Sequence, residues 1–163
     1  MKHSRSIRVG RSFLWVAMVL GLIHATWSFY WAFGGTWMLD TVGQWAVVSQ
    51  LNAPVQTFIV LLAVGLVKTA AATIPVAVEY GKFGGRKFWR GVSWVGGIGL
   101  TLYGGIYTGT AVLVLTGVVG SIEGYNESVM FGHALLWDPL FFFWGLTLVS
   151  SLILTRRPKE DVS

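Results

Sequence analysis

The fold of this chain is decided by an uncharged stretch near its N-terminus, which reads FLWVAMVLGLIHATWSFYWAF over residues 13–33. A transmembrane α-helix needs about 20 predominantly apolar residues to cross a hydrocarbon layer of roughly 30 Å. This stretch is long enough, and it contains no Lys, Arg, Asp or Glu. It therefore predicts a membrane-spanning helix.

Three further apolar stretches of similar length follow, separated by polar breaks. The predicted spans cover residues 13–33, 55–78, 94–119 and 135–154. Hydrophobic residues make up 54% of the 163-residue chain and charged residues 12%, about half the charge of an ordinary soluble domain. The sequence thus predicts an all-α integral membrane protein, a four-helix bundle that forms one domain over residues 1–163. In the first break, hydrophobic residues at helical spacing favour a short interfacial helix.

The positive charges predict the orientation of these spans. Of the 12 Lys and Arg residues, 11 lie in the N-terminal tail, the second break or the C-terminal tail. Cytoplasmic segments of membrane proteins are enriched in Lys and Arg, so we expect both termini in the cytoplasm, with the chain in the cell (plasma) membrane. The net charge of +5 is then explained by the Lys and Arg residues that set the topology, and it does not indicate nucleic-acid binding. One alternative is that span one is a cleaved signal sequence, with cleavage at Ala25.

His24 and Lys68 are ionisable residues deep inside predicted spans, where such residues are functional candidates by default. His24 lies about 20 Å along the helix from the basic end of span one, on the same face as Trp27 and Trp31. It either lines a ligand pocket or makes a structural hydrogen bond between helices. Lys68, the intramembrane charge of span two, either acts as a relay group or extends its ammonium to the membrane surface. No acidic residue shares its predicted depth.

The start of span four collects a second group of polar and aromatic residues. His133 and Trp137 share a helix face, and Trp144 continues the aromatic series. Asp138 next to Pro139 favours a helix cap, because Asp accepts free backbone N–H groups and Pro fits the first turn. The alternative role for this Asp is in an outward-facing functional site.

That outward-facing site would join His133 and Asp138 with Glu123 and Glu127 and would take a cation or a proton. The spacing matches no metal-binding signature, so no metal site is predicted. The absence of Cys excludes thiolate catalysis and Cys-ligated metals. Phosphate-binding loops and nucleophile elbows are also absent, which disfavours hydrolysis and phosphoryl transfer. The sequence indicates neither a reaction nor a cofactor.

Span three carries small residues at strict four-residue intervals. These residues are Gly97, Thr101, Gly105 and Gly109. Such a ridge lets another helix approach closely. A comparable strip on span two begins at Gly65, so the two spans are expected to pack together within one chain. The alternative is an interface with a second copy or with another membrane protein.

Two motifs at the same predicted membrane surface point to a known family. They are YWAFGGTW at residues 30–37 and HALLWDP at residues 133–139. With these motifs the chain resembles an uncharacterised family, a domain of unknown function, of small four-span bacterial membrane proteins, and the similarity covers most of the chain. Its members often have a His three residues before the Trp-Ala pair, where this chain has Ser28; His24 lies one turn earlier. The resemblance implies the four-span fold and no known activity.

Two functional hypotheses follow. The first is binding of a small lipophilic ligand, a quinone or a lipid, between spans one and four near the outer face. The predicted ligand-binding residues are His24, Trp27, Trp31, His133, Trp137, Asp138 and Trp144. The second is a structural or accessory subunit of a larger membrane complex. A transporter that uses Lys68 and His24 as relay groups is disfavoured, because four spans without internal symmetry do not resemble a stand-alone carrier.

Overall fold

The computed structural model describes residues 2–120 and 125–156, with side chains from residue 4 onwards. The helices are α1 (Lys2–Ala32), α2 (Gln44–Asn52), α3 (Pro54–Glu79), α4 (Arg86–Leu115), α5 (Glu127–Gly132) and α6 (Asp138–Leu154), and a π-helical segment, His133–Trp137, joins α5 to α6. No strand occurs in these two ranges, so the predicted all-α fold is confirmed. Glu123 and the basic residues after Arg156 lie outside the described residues.

Four helical segments are long and apolar enough to cross a membrane. They are Ser4–Ala32, Pro54–Glu79, Arg86–Leu115 and Glu127–Leu154. Each has 26 to 30 residues, or about 39–45 Å at 1.5 Å per residue, which exceeds the roughly 30 Å of hydrocarbon. All four begin before the predicted apolar spans. A helix does not have to start where the apolar residues start, because its hydrogen bonds join backbone groups and can include residues of any polarity. A short helix, α2, forms in the first break, where one was expected. It begins at Gln44, so of the residues whose spacing favoured it (Trp37, Met38, Val42 and Trp45) only Trp45 lies in the helix.

Helices α1 and α6 form the centre of the bundle. α1 packs along both α3 and α6, α6 packs along α4, and α3 and α4 touch each other much less. The lateral order is therefore α3, α1, α6, α4. One buried hydrophobic cluster consists of Leu14, Ala17, Ala72, Val76, Trp144, Leu148 and Leu152, and a second consists of Trp31, Leu39, Ala46 and Trp137. Ala25, the cleavage position in the signal-sequence interpretation, is buried within α1.

The closest helix contact is between α4 and α6, and it depends on glycine. A Cβ atom placed on Gly104 of α4 would collide with backbone atoms of Asp138 and Phe142. On the other side of the contact, a Cβ atom on Gly145 would lie 2.5 Å from the Thr101 backbone nitrogen. The two backbones therefore approach too closely to accept a side chain at either glycine.

The predicted small-residue ridge contributes to this contact only in part. A Cβ atom on Gly97 would lie 2.9 Å from Val149 Cγ2, and one on Gly105 would lie 3.2 Å from the Phe142 ring, whereas Gly109 has no neighbour within 4 Å. The predicted pairing of the ridge with span two is wrong, because α6 rather than α3 covers it. Four-residue spacing identifies a close-packing face and carries no information about which helix covers that face.

The end of the bundle that carries the described termini and residues 80–85 is held together around Glu79. Only 8% of the Glu79 side chain is exposed. Its Oε2 lies 2.8 Å from Arg86 Nη2 and 3.6 Å from Arg90 Nη1, and its Oε1 lies 3.7 Å from Arg11 Nε. Arg90 also donates to the Leu152 carbonyl at 2.7 Å. This cluster links α1, α3, α4 and α6. We call this end of the bundle the basic end, and the opposite end, which carries α2, the α2 end.

The last span is a continuous helix that widens in its first half. Pro139 has no N–H group for the carbonyl of Leu135, and its ring crowds that carbonyl. The π-helical segment His133–Trp137 directly precedes this proline and provides the wider turn that such an interruption requires.

The predicted helix cap at Asp138 is wrong, because the π-helical segment runs directly into α6 at this residue. The Asp138 side chain contacts His133 and caps no backbone N–H group. Asn126 supplies the cap instead, at the start of α5, where its Oδ1 accepts a hydrogen bond from the Val129 N–H at 3.2 Å. The carboxylate of Asp138 is therefore available for another partner inside the bundle.

Candidate functional site

A cavity of about 560 Å³ lies at the α2 end of the bundle. Its walls come from α1, α3 and the last span, with one residue from α4, while α2 and the loop before it form the roof. Apolar side chains make up most of the lining. The wall residues outside α3 are His24, Ser28 and Trp31 from α1, Tyr103 from α4, and His133, Trp137, Asp138 and Phe141 from the last span.

Five of the seven predicted ligand-binding residues line this cavity: His24, Trp31, His133, Trp137 and Asp138. The first two belong to α1 and the other three to the π-helical segment and the start of α6. These segments are distant in sequence, and the packing of α1 against α6 brings them to one space.

The other two predicted residues lie outside the lining. Trp27 packs behind it, with its ring centroid 5.6 Å from that of Trp31 and 5.4 Å from that of Trp137. Trp144 is a core residue with 2% exposure, and its ring fills the space next to Gly21, where a Cβ atom would lie 2.7 Å away. Both side chains support the cavity wall from outside the cavity.

Lys68 is the cation of the cavity. Its Nζ lies 3.0 Å from His24 Nδ1 and donates to Ser28 Oγ, also at 3.0 Å. The residue is near the middle of α3, about 21 Å from Pro54 by the rise per residue. The ammonium turns inward to α1 instead of extending to the basic end, so the surface-anchoring interpretation does not describe its conformation.

This contact favours one tautomer of His24. A charged Lys68 has three donors and no acceptor, so beside it Nδ1 of a neutral His24 is the acceptor and the ring hydrogen is on Nε2. His24 is only 5% exposed, and its Nε2 is buried without a hydrogen-bond partner among the described residues. The ring packs on Phe141 with 3.9 Å between centroids. A buried donor without an acceptor is unfavourable unless another molecule supplies one.

A second polar pair holds the roof in place. Asp138 is 1% exposed, and its Oδ2 lies 2.8 Å from His133 Nδ1. The Nε2 of the same His lies 3.4 Å from the Val42 carbonyl. Next to this pair, Trp137 Nε1 donates to Thr41 Oγ1 at 3.0 Å. These contacts attach the loop before α2 to the last span.

The roof is also attached to α1. Trp31 Nε1 donates to the Trp37 carbonyl at 3.0 Å, and Gln50 Nε2 of α2 lies 3.4 Å from the Trp31 carbonyl, to which it donates. The indole N–H groups of Trp31 and Trp137 are therefore used in positioning the loop. Their rings remain as flat apolar contact surfaces inside the cavity.

Sequence reasoning missed the α3 wall of the cavity. Thr57, Leu61 and Val64 line it together with Lys68, at successive steps of four, three and four residues. Counting helix turns from Lys68 toward the start of α3 would have identified this strip. Tyr103 offered no comparable signal, because a Tyr in an apolar span can also face lipid.

The lining combines apolar side chains with a few hydrogen-bonding groups. In the part of the chain that the structure describes, no three His, Asp or Glu side chains lie close enough together to hold a metal ion. Mainly apolar walls with a few polar groups at fixed positions are typical of small-molecule sites.

Four membrane-length helices around a mainly apolar cavity define the class of this molecule, a helical multi-pass membrane protein. Residues 17–148 match the family model described as "Protein of unknown function (DUF3995)", and the chain belongs to this family. The predicted membership of a family of unknown function is confirmed. No curated protein and no solved structure matches the chain. The function is therefore argued from the cavity.

Proposed function

We propose that this chain is a cell-membrane protein that binds a small lipophilic molecule, a quinone or a lipid, in the cavity at the α2 end. The observation that carries the proposal is the position of His24, Trp31, His133 and Asp138 around one cavity. An ionisable side chain inside an apolar span needs a reason, and a ligand supplies one for His24. Trp31, His133 and Asp138 hold the roof over the same space.

The size and composition of the cavity support binding of a whole small molecule. Its volume of about 560 Å³ lies within the roughly 300–1,000 Å³ of ligand pockets. Side chains such as Leu61, Val64 and Phe141 offer apolar contact, and every buried CH₂ group of a ligand contributes about 0.8 kcal/mol. The space between α3 and α4 also gives a lateral route from the lipid, since these two helices touch little.

A cavity-filling substitution tests the proposal. Val64 lines the cavity, and we expect Val64→Trp to displace a bound molecule because the indole occupies the same apolar space. Native mass spectrometry of the protein purified in mild detergent is expected to show a copurified lipophilic molecule on the wild type and its loss from this variant.

The matched control is Val67→Trp, three residues further along α3. Val67 does not line the cavity and is 68% exposed, so this variant adds the same indole on the outside and is expected to retain the copurified molecule. Equal retention by both variants would contradict the proposal. A wild type that carries only a protein partner and no small molecule would instead favour a structural or accessory subunit.

We further propose that the α2 end faces the cell exterior and that both described termini are cytoplasmic. Residues 33–54 and 116–132, which connect the helices at the α2 end, contain no Lys or Arg, while the basic end holds Arg11, Arg86 and Arg90. Lys and Arg are retained on the cytoplasmic side during insertion. The cavity would then open toward the outer leaflet.

Reporter fusions test this orientation. We expect a green fluorescent protein fused after Ser163 to fluoresce in a bacterial host, because it folds in the cytoplasm, and alkaline phosphatase fused there to be inactive. Phosphatase inserted after Gly120 is expected to be active, since that position belongs to the α2 end. Phosphatase activity at the C-terminal fusion would reverse the proposed orientation.

A further inference from the structure

Lys68 has no carboxylate beside it among the described residues; Asp138, which lines the same cavity, is paired with His133 instead. None of the ion pairs among the described residues includes Lys68, and its two hydrogen-bond partners are a neutral hydroxyl and an imidazole nitrogen. A lysine ammonium near the middle of a membrane-length helix is unfavourable without a compensating group. Its ammonium also lies 5.5 Å from the centroid of the Phe141 ring, which attracts a cation but carries no negative charge. A negatively charged partner is therefore what the described contacts of Lys68 lack.

Two hydrogen-bond donors at this place also lack an acceptor. Two of the three N–H groups of Lys68 are directed to His24 and Ser28, which leaves the third. The second donor is Nε2 of His24, which carries the ring hydrogen when Nδ1 accepts from Lys68. It is buried without a partner among the described residues, so a ligand reaches it only when the side chains around it shift. A positive charge with two donors matches a carboxylate, which has one negative charge and two acceptor oxygens.

The rest of the cavity is suited to an apolar chain. From Lys68 the lined face of α3 continues through Val64 and Leu61 to Thr57, a distance of about 16 Å along the helix axis. Trp31 and Trp137 face the same space from the other walls. The charged group thus lies at the deep end of an apolar channel that leads toward the α2 end.

We propose that the ligand is an amphipathic carboxylic acid, with its carboxylate on Lys68 and His24 and its chain along the α3 strip. This inference rests on the proposed function, because it names the class of molecule that the cavity takes. It distinguishes an acidic lipid-like molecule from a neutral quinone, whose carbonyl oxygens carry no charge to balance the ammonium.

The test compares probes of equal chain length that differ in the head group. Radiolabelled dodecanoate, 1-dodecanol and dodecyl phosphate are titrated at neutral pH onto the protein in phosphatidylcholine nanodiscs, and binding to empty nanodiscs is subtracted. We expect wild-type protein to bind dodecanoate at least about tenfold more tightly than 1-dodecanol, because only the acid supplies a charged acceptor to the two donors.

Variants then assign the preference to the lysine. Lys68→Gln is expected to weaken dodecanoate binding about tenfold or more and to change 1-dodecanol binding by less than about threefold, since the apolar channel remains. Lys68→Arg is expected to keep a preference for the acid. Lys82→Gln is the matched control, because it removes one positive charge from the exposed turn at the basic end and is expected to leave both affinities unchanged.

The outcomes separate this inference from the proposed function. Equal binding of acid and alcohol by the wild type, or tighter binding of dodecyl phosphate than of dodecanoate, would overturn the carboxylate assignment and leave the lipophilic cavity standing. Binding of none of the three probes would instead count against the proposed function itself. Both comparisons use the wild-type protein, so they hold even if a Lys68 variant folds poorly.

Discussion

Gly104→Ala is expected to lower the free energy of unfolding by about 3 kcal/mol, the upper part of the range for overpacking a close contact. The added methyl group would collide with backbone atoms of Asp138 and Phe142 on α6. Backbone cannot rotate away as a flexible side chain can, so α4 and α6 must separate. Equilibrium unfolding of the purified protein in mixed dodecyl maltoside and sodium dodecyl sulfate micelles, followed by circular dichroism, measures this change.

Gly109→Ala on the same helix is the matched control and is expected to have the opposite sign. A methyl group at Gly109 would have no heavy atom of a neighbouring segment within 4 Å, and Ala is favoured over Gly in a helix interior by about 1 kcal/mol. We therefore expect this variant to be unchanged or slightly more stable. Equal destabilisation by the two substitutions would mean that α4 does not pack on α6 through Gly104.

Glu79→Gln is expected to lower the free energy of unfolding by about 2–4 kcal/mol. Removing one partner from a fully buried ion pair costs about 3–5 kcal/mol, and the value here is smaller because the Arg11 and Arg86 side chains are 43% and 31% exposed. The amide retains the size of the carboxylate but leaves the positive charges around it without an anion. The same unfolding assay measures the effect.

Asp40→Asn is the control for this charge removal, since Asp40 is exposed in the loop before α2 and an exposed carboxylate contributes about 0–1 kcal/mol. A variant of Glu79 as stable as this control would show that the cluster at the basic end does not hold the helices together. The same result would leave the cavity proposal unaffected, because Glu79 lies at the opposite end of the bundle.

The helices of this protein could be predicted from the sequence, and so could the ionisable residues that are candidates for function. The stretch of residues 13–33 is apolar and long enough to indicate a membrane span. The short helix α2, which contains Trp45, forms in the break that follows, where a short helix was expected. His24 and Lys68 were conspicuous because ionisable groups are rare in apolar spans. Each of these inferences uses only the side chains of one segment.

The contacts between segments were predicted less well. The sequence offers Lys68 no acidic partner at its depth, and the groups that it contacts are His24 and Ser28 of α1. Asp138 was expected to cap a helix, but the π-helical segment carries the helix through and Asp138 pairs with His133. The cluster around Glu79 was not predicted, because Arg residues that set topology and Arg residues that bind a carboxylate are identical in sequence.

The sequence by itself determined the helical class, four helices of membrane length and the set of polar residues that an apolar span does not explain. Only the tertiary structure decided that α6 covers the ridge of α4, that Lys68 turns toward His24, and that residues from both halves of the chain enclose one cavity. The physical reason is that transfer into lipid depends on each segment separately, whereas partner choice depends on the shapes and hydrogen-bonding groups of surfaces far apart in sequence.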